Sequence, residues 1–157
     1  MPAGKNKKNI MAFDKILSMT INIKATPSKV WDALTNPAII KKWLFGTDVI
    51  SDWKIGSEIL FTGNYQGTDY RDKGTILQFE KEKTFKYNYW SGFSGLPDNP
   101  ENYSVIAFML SPADSGTELT LTQNNFPTGT AYEHTAQNWT ATLALMKNIT
   151  ESQRDIK

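Results

Sequence analysis

Residues 23–43 read Ile-Lys-Ala-Thr-Pro-Ser-Lys-Val-Trp-Asp-Ala-Leu-Thr-Asn-Pro-Ala-Ile-Ile-Lys-Lys-Trp and contain the start signals of two short helices. Thr26 and Asn36 can each accept a hydrogen bond from a free N–H at a helix start. Pro27 and Pro37 follow them at the first helical position, where the missing N–H of proline costs nothing. Apolar residues then recur at helical spacing in both segments. The stretch therefore predicts two short helices, packed on one core, directly after a first strand.

Alternating apolar and polar residues predict strands on both sides of this helix pair. The first strand is predicted over Leu17–Lys24. Five further strands are predicted over residues 57–65, 70–80, 84–90, 103–110 and 117–124. Residues 45–56 and 91–102 are rich in turn formers and are expected to be loops.

A long helix is predicted over about Ala131–Gln153, and Thr130 and Glu133 have the spacing of a capping box at its start. Its apolar stripe recurs at spacings of three and four and consists of Tyr132, Ala136, Trp139, Leu143, Met146 and Thr150. Only the sheet is large enough to cover this stripe. We therefore expect an α+β protein with a helix-grip fold, in which a curved antiparallel sheet wraps around the C-terminal helix and two short helices follow strand one.

The composition excludes several classes of function. The chain has 157 residues and a net charge of +1, with 17 lysines and arginines against 16 aspartates and glutamates. This balance favours neither nucleic acid nor an anionic membrane as a partner. The absence of cysteine excludes disulfides, thiolate nucleophiles and iron–sulfur clusters, and the single histidine excludes a multi-histidine metal site. We expect no metal and no cofactor.

The N-terminal segment does not have the pattern of a secretory signal. Asp14 and Lys15 interrupt its apolar run, and no small-residue cleavage site follows. No later run approaches membrane-spanning length. We expect residues 1–16 to form a flexible tail, residues 17–157 to form a single domain, and the protein to be cytoplasmic without stable membrane insertion.

Aromatic and polar side chains on the predicted strands and helices are candidates for lining a cavity between sheet and helix. The candidate lining or mouth residues are Trp43, Phe45, Phe61, Tyr65, Arg71, Tyr87, Tyr89, Phe93, Gln123, Asn125, Tyr132, Trp139 and Leu143. Strand parity is not fixed by the sequence, so each tyrosine is equally compatible with an ordinary surface position. Apolar residues in the loop 91–102 suggest a lid, or a loop that folds back on the sheet.

The free-energy cost of an empty void limits the size and the contents of such a cavity. An empty apolar void of roughly 300 Å³ would destabilise the fold by about 7 kcal/mol, which is comparable with the whole stability of a domain. A cavity is therefore expected to be small, hydrated or occupied.

His134 is the one candidate for a general base. It lies in the first turn of the predicted last helix, next to Glu133, and the ordinary pKa of histidine suits proton transfer near neutral pH. A surface or capping histidine is the alternative, because no nucleophile is identifiable beside it.

The run Ile-x-Ala-x-Pro-x-x-Val-Trp-x-Ala-Leu-Thr-x-Pro over residues 23–37 resembles the START-like superfamily, also called SRPBCC. Further matches are Trp43, the run Gly-Thr-Glu-Leu-Thr-Leu-Thr over 116–122 with Phe126-Pro127 behind it, and Asn138-Trp139 with Leu143. Together they resemble the branch homologous to the C-terminal domain of the heat-shock-protein-90 ATPase activator, over about residues 17–152. The resemblance implies a helix-grip fold with a cavity, and many members bind lipids, sterols, polyketides or other apolar molecules.

The sequence patterns and the family resemblance together imply three candidate functions. The first is a binding protein for a small apolar or amphipathic molecule, lipid-like or aromatic. The second is an enzyme of the polyketide cyclase or hydratase kind, using His134 or an Asp/Arg pair in the same cavity; it ranks lower because no catalytic constellation is recognisable. The third is stimulation of a chaperone ATPase, which ranks last because a short tail stands where the co-chaperone has a separate N-terminal domain. A homodimer and a chaperone contact are the partners considered besides the ligand.

Overall fold

Seven antiparallel strands and three helices make up the part of the chain that the structure, a computed structural model, describes, residues 14–152. The strands are β1 (Leu17–Ile23), β2 (Asp48–Ser51), β3 (Glu58–Tyr65), β4 (Thr68–Glu80), β5 (Thr84–Tyr89), β6 (Ser104–Ala113) and β7 (Gly116–Gln123). The helices are α1 (Pro27–Thr35), α2 (Pro37–Trp43) and α3 (Gly129–Ser152). The strand order in the sheet is β1-β7-β6-β5-β4-β3-β2.

This arrangement confirms the predicted α+β helix-grip fold. The sheet is curved and open, α3 lies along it, and α1 and α2 connect β1 to the outer strand β2. The C-terminal end of α3 is tied to β1 by Lys147, whose ammonium contacts Glu151 at 2.6 Å and donates to the carbonyl oxygen of Asn22 at 2.7 Å. Glu151 also accepts from the backbone N–H of Lys24 at 2.7 Å.

Both helix starts in the 23–43 stretch form as predicted. The hydroxyl of Thr26 accepts a hydrogen bond of 3.3 Å from the backbone N–H of the third residue after it. The amide oxygen of Asn36 accepts a hydrogen bond of 3.0 Å from the backbone N–H of the second residue after it. The indole of Trp43 at the end of α2 donates to the carbonyl oxygen of Ala33 in α1 at 2.9 Å. This buried bond fixes the angle between the two helices.

The prediction of a loop over residues 45–56 is wrong in part, because β2 lies within it. Val49 is buried and pairs with Phe61 of β3. The strand has only four residues and stands between turn formers, so its alternation is too short to emerge from the sequence.

The predicted capping box at the start of the last helix is also wrong. The helix begins at Gly129, and the hydroxyl that caps it belongs to Thr128, which accepts from the N–H of Ala131 at 3.0 Å. Thr130 lies inside the first turn. The predicted end at Gln153 lies outside the described residues, as does most of the expected N-terminal tail.

The hydrophobic core lies between the concave face of the sheet and the helices. Its fully buried members include Leu34, Ile76, Phe108, Leu121 and Met146. In the described part of the chain, every buried polar side-chain atom has a hydrogen-bond partner. No helix of residues 14–152 combines the length and the apolar character needed to cross a membrane.

Candidate functional site

A cavity of about 860 Å³ lies between the concave face of the sheet and the N-terminal half of α3. Residues of α1 and α2 close it from a second side. It opens to solvent at a rim where Phe45, Tyr65 and Phe93 are 69%, 59% and 56% exposed. Water can enter through this rim, so the cavity does not carry the full penalty of an empty apolar void.

Aromatic rings of β3 and β5 form one wall of the cavity. Phe85, Tyr87 and Tyr89 alternate along β5 and all face inward. The ring of Phe61 on β3 lies 5.6 Å from the ring of Tyr87 and 5.5 Å, edge to face, from the ring of Tyr89. The contacts hold these rings in fixed orientations and present π-faces and edges to the interior.

A buried carboxylate stands at one end of this wall. Asp72 of β4 is 6% exposed, and its Oδ2 accepts a hydrogen bond from the hydroxyl of Tyr89 at 2.6 Å. Its Oδ1 accepts from the backbone N–H of Gly92 at 3.3 Å. Burial and the neighbouring charge of Asp72 raise the pKa of Tyr89 well above its usual range. Burial alone raises the pKa of Tyr87.

A close approach of β4 and β5 places Asp72 beside Tyr89. Lys73 and Trp90 exchange backbone hydrogen bonds of 3.0 and 2.9 Å. At the next position of β4, a Cβ on Gly74 would stand 1.7 Å from the carbonyl oxygen of Asn88. Only glycine leaves room for the β5 backbone there.

Two further polar pairs line the cavity. The indole N–H of Trp139 on α3 donates to the amide oxygen of Gln123 at the end of β7, at 2.8 Å. The hydroxyls of Thr47 and Tyr70, which also line the cavity, are 2.6 Å apart. Each pair offers a hydrogen-bonding group to whatever enters an otherwise apolar space.

The structure brings nine of the residues expected at the site to the cavity. They are Trp43, Phe45, Phe61, Tyr65, Tyr87, Tyr89, Phe93, Gln123 and Trp139. Phe93 lies at the rim on a short 3-10 turn of the loop 91–102, with its ring 6.1 Å from the ring of Tyr65 and 5.8 Å from that of Tyr70.

Four other expected residues do not line the cavity. Arg71 is exposed, because strand alternation turns it away from the face that carries Asp72. Asn125 lies beyond the end of β7, with a φ of +61°, and its amide donates to two backbone carbonyls of residues 101 and 103. Tyr132 packs its ring on Phe126 at 5.1 Å, and Leu143 is fully buried in the core.

Several residues that line the cavity were not predicted from the sequence. They are chiefly Asp72, Tyr70, Thr47 and Trp53 on the sheet side and Thr135, Asn138 and Thr142 on α3. The three α3 residues and Trp139 have the spacing i, i+3, i+4 and i+7 of a single helix face. That face is rotated from the apolar stripe, and its polar residues carry no hydrophobic signal.

His134 is exposed on α3 and is not part of the cavity lining. Within residues 14–152, no group of three or more histidine, aspartate or glutamate side chains could hold a metal ion.

The raised pKa values of Tyr87 and Tyr89 predict a loss of stability in alkaline solution. Because folding raises the pKa of Tyr87 and of Tyr89 above the ordinary 10.0, the unfolded chain releases these protons first. The free energy of unfolding should therefore be unaffected by them below about pH 10 and should fall as the pH rises further. Urea unfolding followed between pH 8 and 11 measures this fall.

The double substitution of Tyr87 and Tyr89 by phenylalanine should flatten the fall. Replacing the exposed Tyr65 by phenylalanine is the matched control and should leave the slope unchanged. Equal slopes for the double variant and the wild type would contradict the assignment.

Comparison with known proteins identifies the chain's relatives. Residues 24–151 match the family model described as Activator of Hsp90 ATPase homolog 1-like protein. A Cytophaga hutchinsonii protein, whose structure was determined in solution, is 42% identical to this chain, with a TM-score of 0.78. The match covers 88% of this chain and 95% of that protein's chain. No curated protein sequence matches.

Two more distant structures share the fold. The Aha1 dimer from Colwellia psychrerythraea is 23% identical, with a TM-score of 0.70, and the match covers 88% of this chain and 97% of the Colwellia chain. DynU16, a protein in the dynemicin biosynthetic locus, is 14% identical, with a TM-score of 0.73, and the match covers 88% of this chain and 48% of the DynU16 chain. The family match spans most of the chain, from α1 to the end of α3. The chain therefore belongs to the family of Activator of Hsp90 ATPase homolog 1-like proteins.

Proposed function

We propose that this protein binds a small apolar or amphipathic molecule in the cavity between the sheet and α3. One observation carries the proposal: about 860 Å³ of space is bounded mainly by apolar and aromatic side chains, with a few buried polar groups among them. Sites for small molecules commonly have roughly 300 to 1,000 Å³ and this kind of lining.

The exposed rim supports the same function. Phe45, Tyr65 and Phe93 line the cavity and keep large apolar surfaces in water. A ligand that enters would remove water from the cavity walls and from part of these rings. Burial of apolar surface at roughly 25 cal/mol per Å² is the driving force for such binding.

Titration with the neutral fluorophore N-phenyl-1-naphthylamine tests the proposal. Trp43, Trp53 and Trp139 all line the cavity, so a bound naphthyl group should quench tryptophan emission while its own emission shifts to the blue. We expect saturable binding of one probe per chain. Native mass spectrometry of freshly purified protein complements the titration, because it detects a molecule that copurifies. Probe fluorescence that rises linearly without saturation, together with a clean apo mass, would count against the proposal.

An enzyme of the cyclase or hydratase kind in the same cavity is the second candidate. It is favoured by the hydrogen bond between Asp72 and Tyr89, a pair able to accept and donate protons. The other catalytic candidates from the sequence, His134 and Arg71, lie outside the lining. The fold similarity to DynU16, whose name places it in a biosynthetic locus, agrees with this candidate but is limited to the fold.

Stimulation of a chaperone ATPase ranks third, because it rests on the family description alone. A homodimer is compatible with either cavity function and is supported by the dimeric Colwellia relative.

A further inference from the structure

The carboxylate in the cavity has no cationic partner among the described residues. Asp72 accepts two hydrogen bonds, both from neutral donors, the hydroxyl of Tyr89 and the N–H of Gly92. No lysine, arginine or histidine of residues 14–152 lines the cavity. Arg71 is exposed, and the ammonium of Lys73 pairs with Asp98 at 2.5 Å on the other side of β4.

A negative charge in this position is incompletely compensated. A carboxylate can accept about four hydrogen bonds, and two donors leave acceptor positions on Asp72. A charge that is only 6% exposed and has no cationic partner is unfavourable, whereas a cation brought beside it gains a charge-assisted hydrogen bond. A neutral hydroxyl on a ligand would add another donor of the kind that Tyr89 already supplies and would leave the charge in place.

Aromatic rings stand beside the carboxylate. The hydroxyl of Tyr89 donates a hydrogen bond to Asp72. The ring of Phe61 lies 5.5 Å from the ring of Tyr89. Tyr87 adds a third ring at 5.6 Å from Phe61. Aromatic faces attract cations through their quadrupole, and the attraction is larger where water is excluded. The carboxylate and the rings therefore select for the same charge.

Resting on the proposed function, we infer that the ligand is an amine, protonated at neutral pH, on an apolar or aromatic body. Its ammonium group binds Asp72, and its body lies along the aromatic wall toward the rim at Phe45 and Phe93. The amide oxygen of Gln123, which accepts from Trp139, has a second lone pair that can accept from a donor on the same molecule.

Three probes of nearly equal size separate charge from shape: 2-(2-naphthyl)ethylamine, 2-(2-naphthyl)ethanol and 2-naphthylacetic acid. Calorimetric titration at pH 7 in an amine-free buffer should give the amine at least about tenfold tighter binding than the alcohol, with the acid weakest. The net charge of the whole chain is +1, so general attraction would favour the acid instead. A preference for the amine therefore reports on a local anion.

Asp72→Asn removes the charge and keeps an oxygen for the hydroxyl of Tyr89. We expect it to reduce the amine-to-alcohol preference to about one, with the alcohol affinity within about threefold of wild type. Asp69→Asn is the matched control, because Asp69 is an exposed residue of the same strand and its loss changes the net charge equally. The control should keep the full preference.

Equal affinities of amine and alcohol for the wild type, or tighter binding of the acid, would overturn the inference and leave the proposed function standing if N-phenyl-1-naphthylamine still binds. Failure of all four probes would overturn both. If Asp72→Asn does not fold, the wild-type series decides alone, because it needs no variant.

Discussion

Replacing Gly74 by alanine is expected to destabilise the protein by about 3 kcal/mol or more, or to prevent folding. The new Cβ would stand 1.7 Å from the carbonyl oxygen of Asn88, far inside van der Waals contact. The obstacle is backbone and not the end of a flexible side chain. Asn88 is also held in place, since its side-chain oxygen accepts from the N–H of Thr75 at 2.7 Å. Strands β4 and β5 would have to separate.

Urea unfolding followed by far-ultraviolet circular dichroism measures this loss. Gly92→Ala is the matched control, because a Cβ there would have no atom nearer than the Trp90 ring at 4.0 Å. It should change the free energy of unfolding by less than about 0.5 kcal/mol. A Gly74→Ala protein as stable as the control would show that the two strands do not approach so closely.

The same substitution should also disturb the cavity. Asp72 lies two residues before Gly74 on β4, and Tyr89 lies one residue after Asn88 on β5. The hydrogen bond between Asp72 and Tyr89 therefore joins the same two strands. Separation of the strands would lengthen that bond. Stability and the polar end of the site therefore depend on one glycine.

The fold was largely predictable because its strongest signals are local. The caps Thr26 and Asn36, each followed by proline, define helix starts with no reference to the rest of the chain. The alternation along Leu17–Ile23 and the apolar stripe that includes Leu143 and Met146 then require a sheet to cover a helix. Strand β2 was not predictable in this way, because four residues are too few to show a period.

The site was only partly predictable, because it depends on which face of each strand turns inward. Tyr70, Asp72 and Gly74 alternate in phase with the buried Ile76, so parity alone would have placed Asp72 inside. The exposed charged neighbours Asp69 and Arg71 give this segment the composition of a solvent-facing strand, which hides the inward position of Asp72. The pairing of Asp72 with Tyr89 depends on the approach of β4 to β5, and no pattern within either strand encodes that approach.

The helix side of the cavity was hidden for a different reason. Thr135, Asn138 and Thr142 line it, and none of them belongs to the apolar stripe. A hydrophobic stripe reports the part of a helix that packs against other residues. A face that borders a space large enough for a ligand can be polar or small, so the residues of most interest for function are those that the pattern omits.

Substituting Thr142 by phenylalanine is expected to abolish binding of N-phenyl-1-naphthylamine, raising its Kd by more than about 100-fold, or about 2.8 kcal/mol. Thr142 is 3% exposed, lies on the cavity face of α3, and stands one turn from Trp139. A phenyl ring at this position can occupy the space that the naphthyl group needs. Because the ring fills an existing void, the free energy of unfolding should stay within about 1.5 kcal/mol of wild type.

The matched control is Ala144→Phe, which adds a ring two residues further along α3 at an exposed position. Its Kd for the probe should equal that of the wild type, since the ring would project into solvent. Unchanged binding by a folded Thr142→Phe protein would place the probe elsewhere on the molecule, and the outer rim at Phe45 and Phe93 would then be the site to test. Loss of binding in both variants would indicate that the probe responds to a general disturbance of α3. Loss of binding in Thr142→Phe together with retention in Ala144→Phe assigns the ligand to the space between α3 and the sheet, since the two variants place the same ring on different faces of the helix.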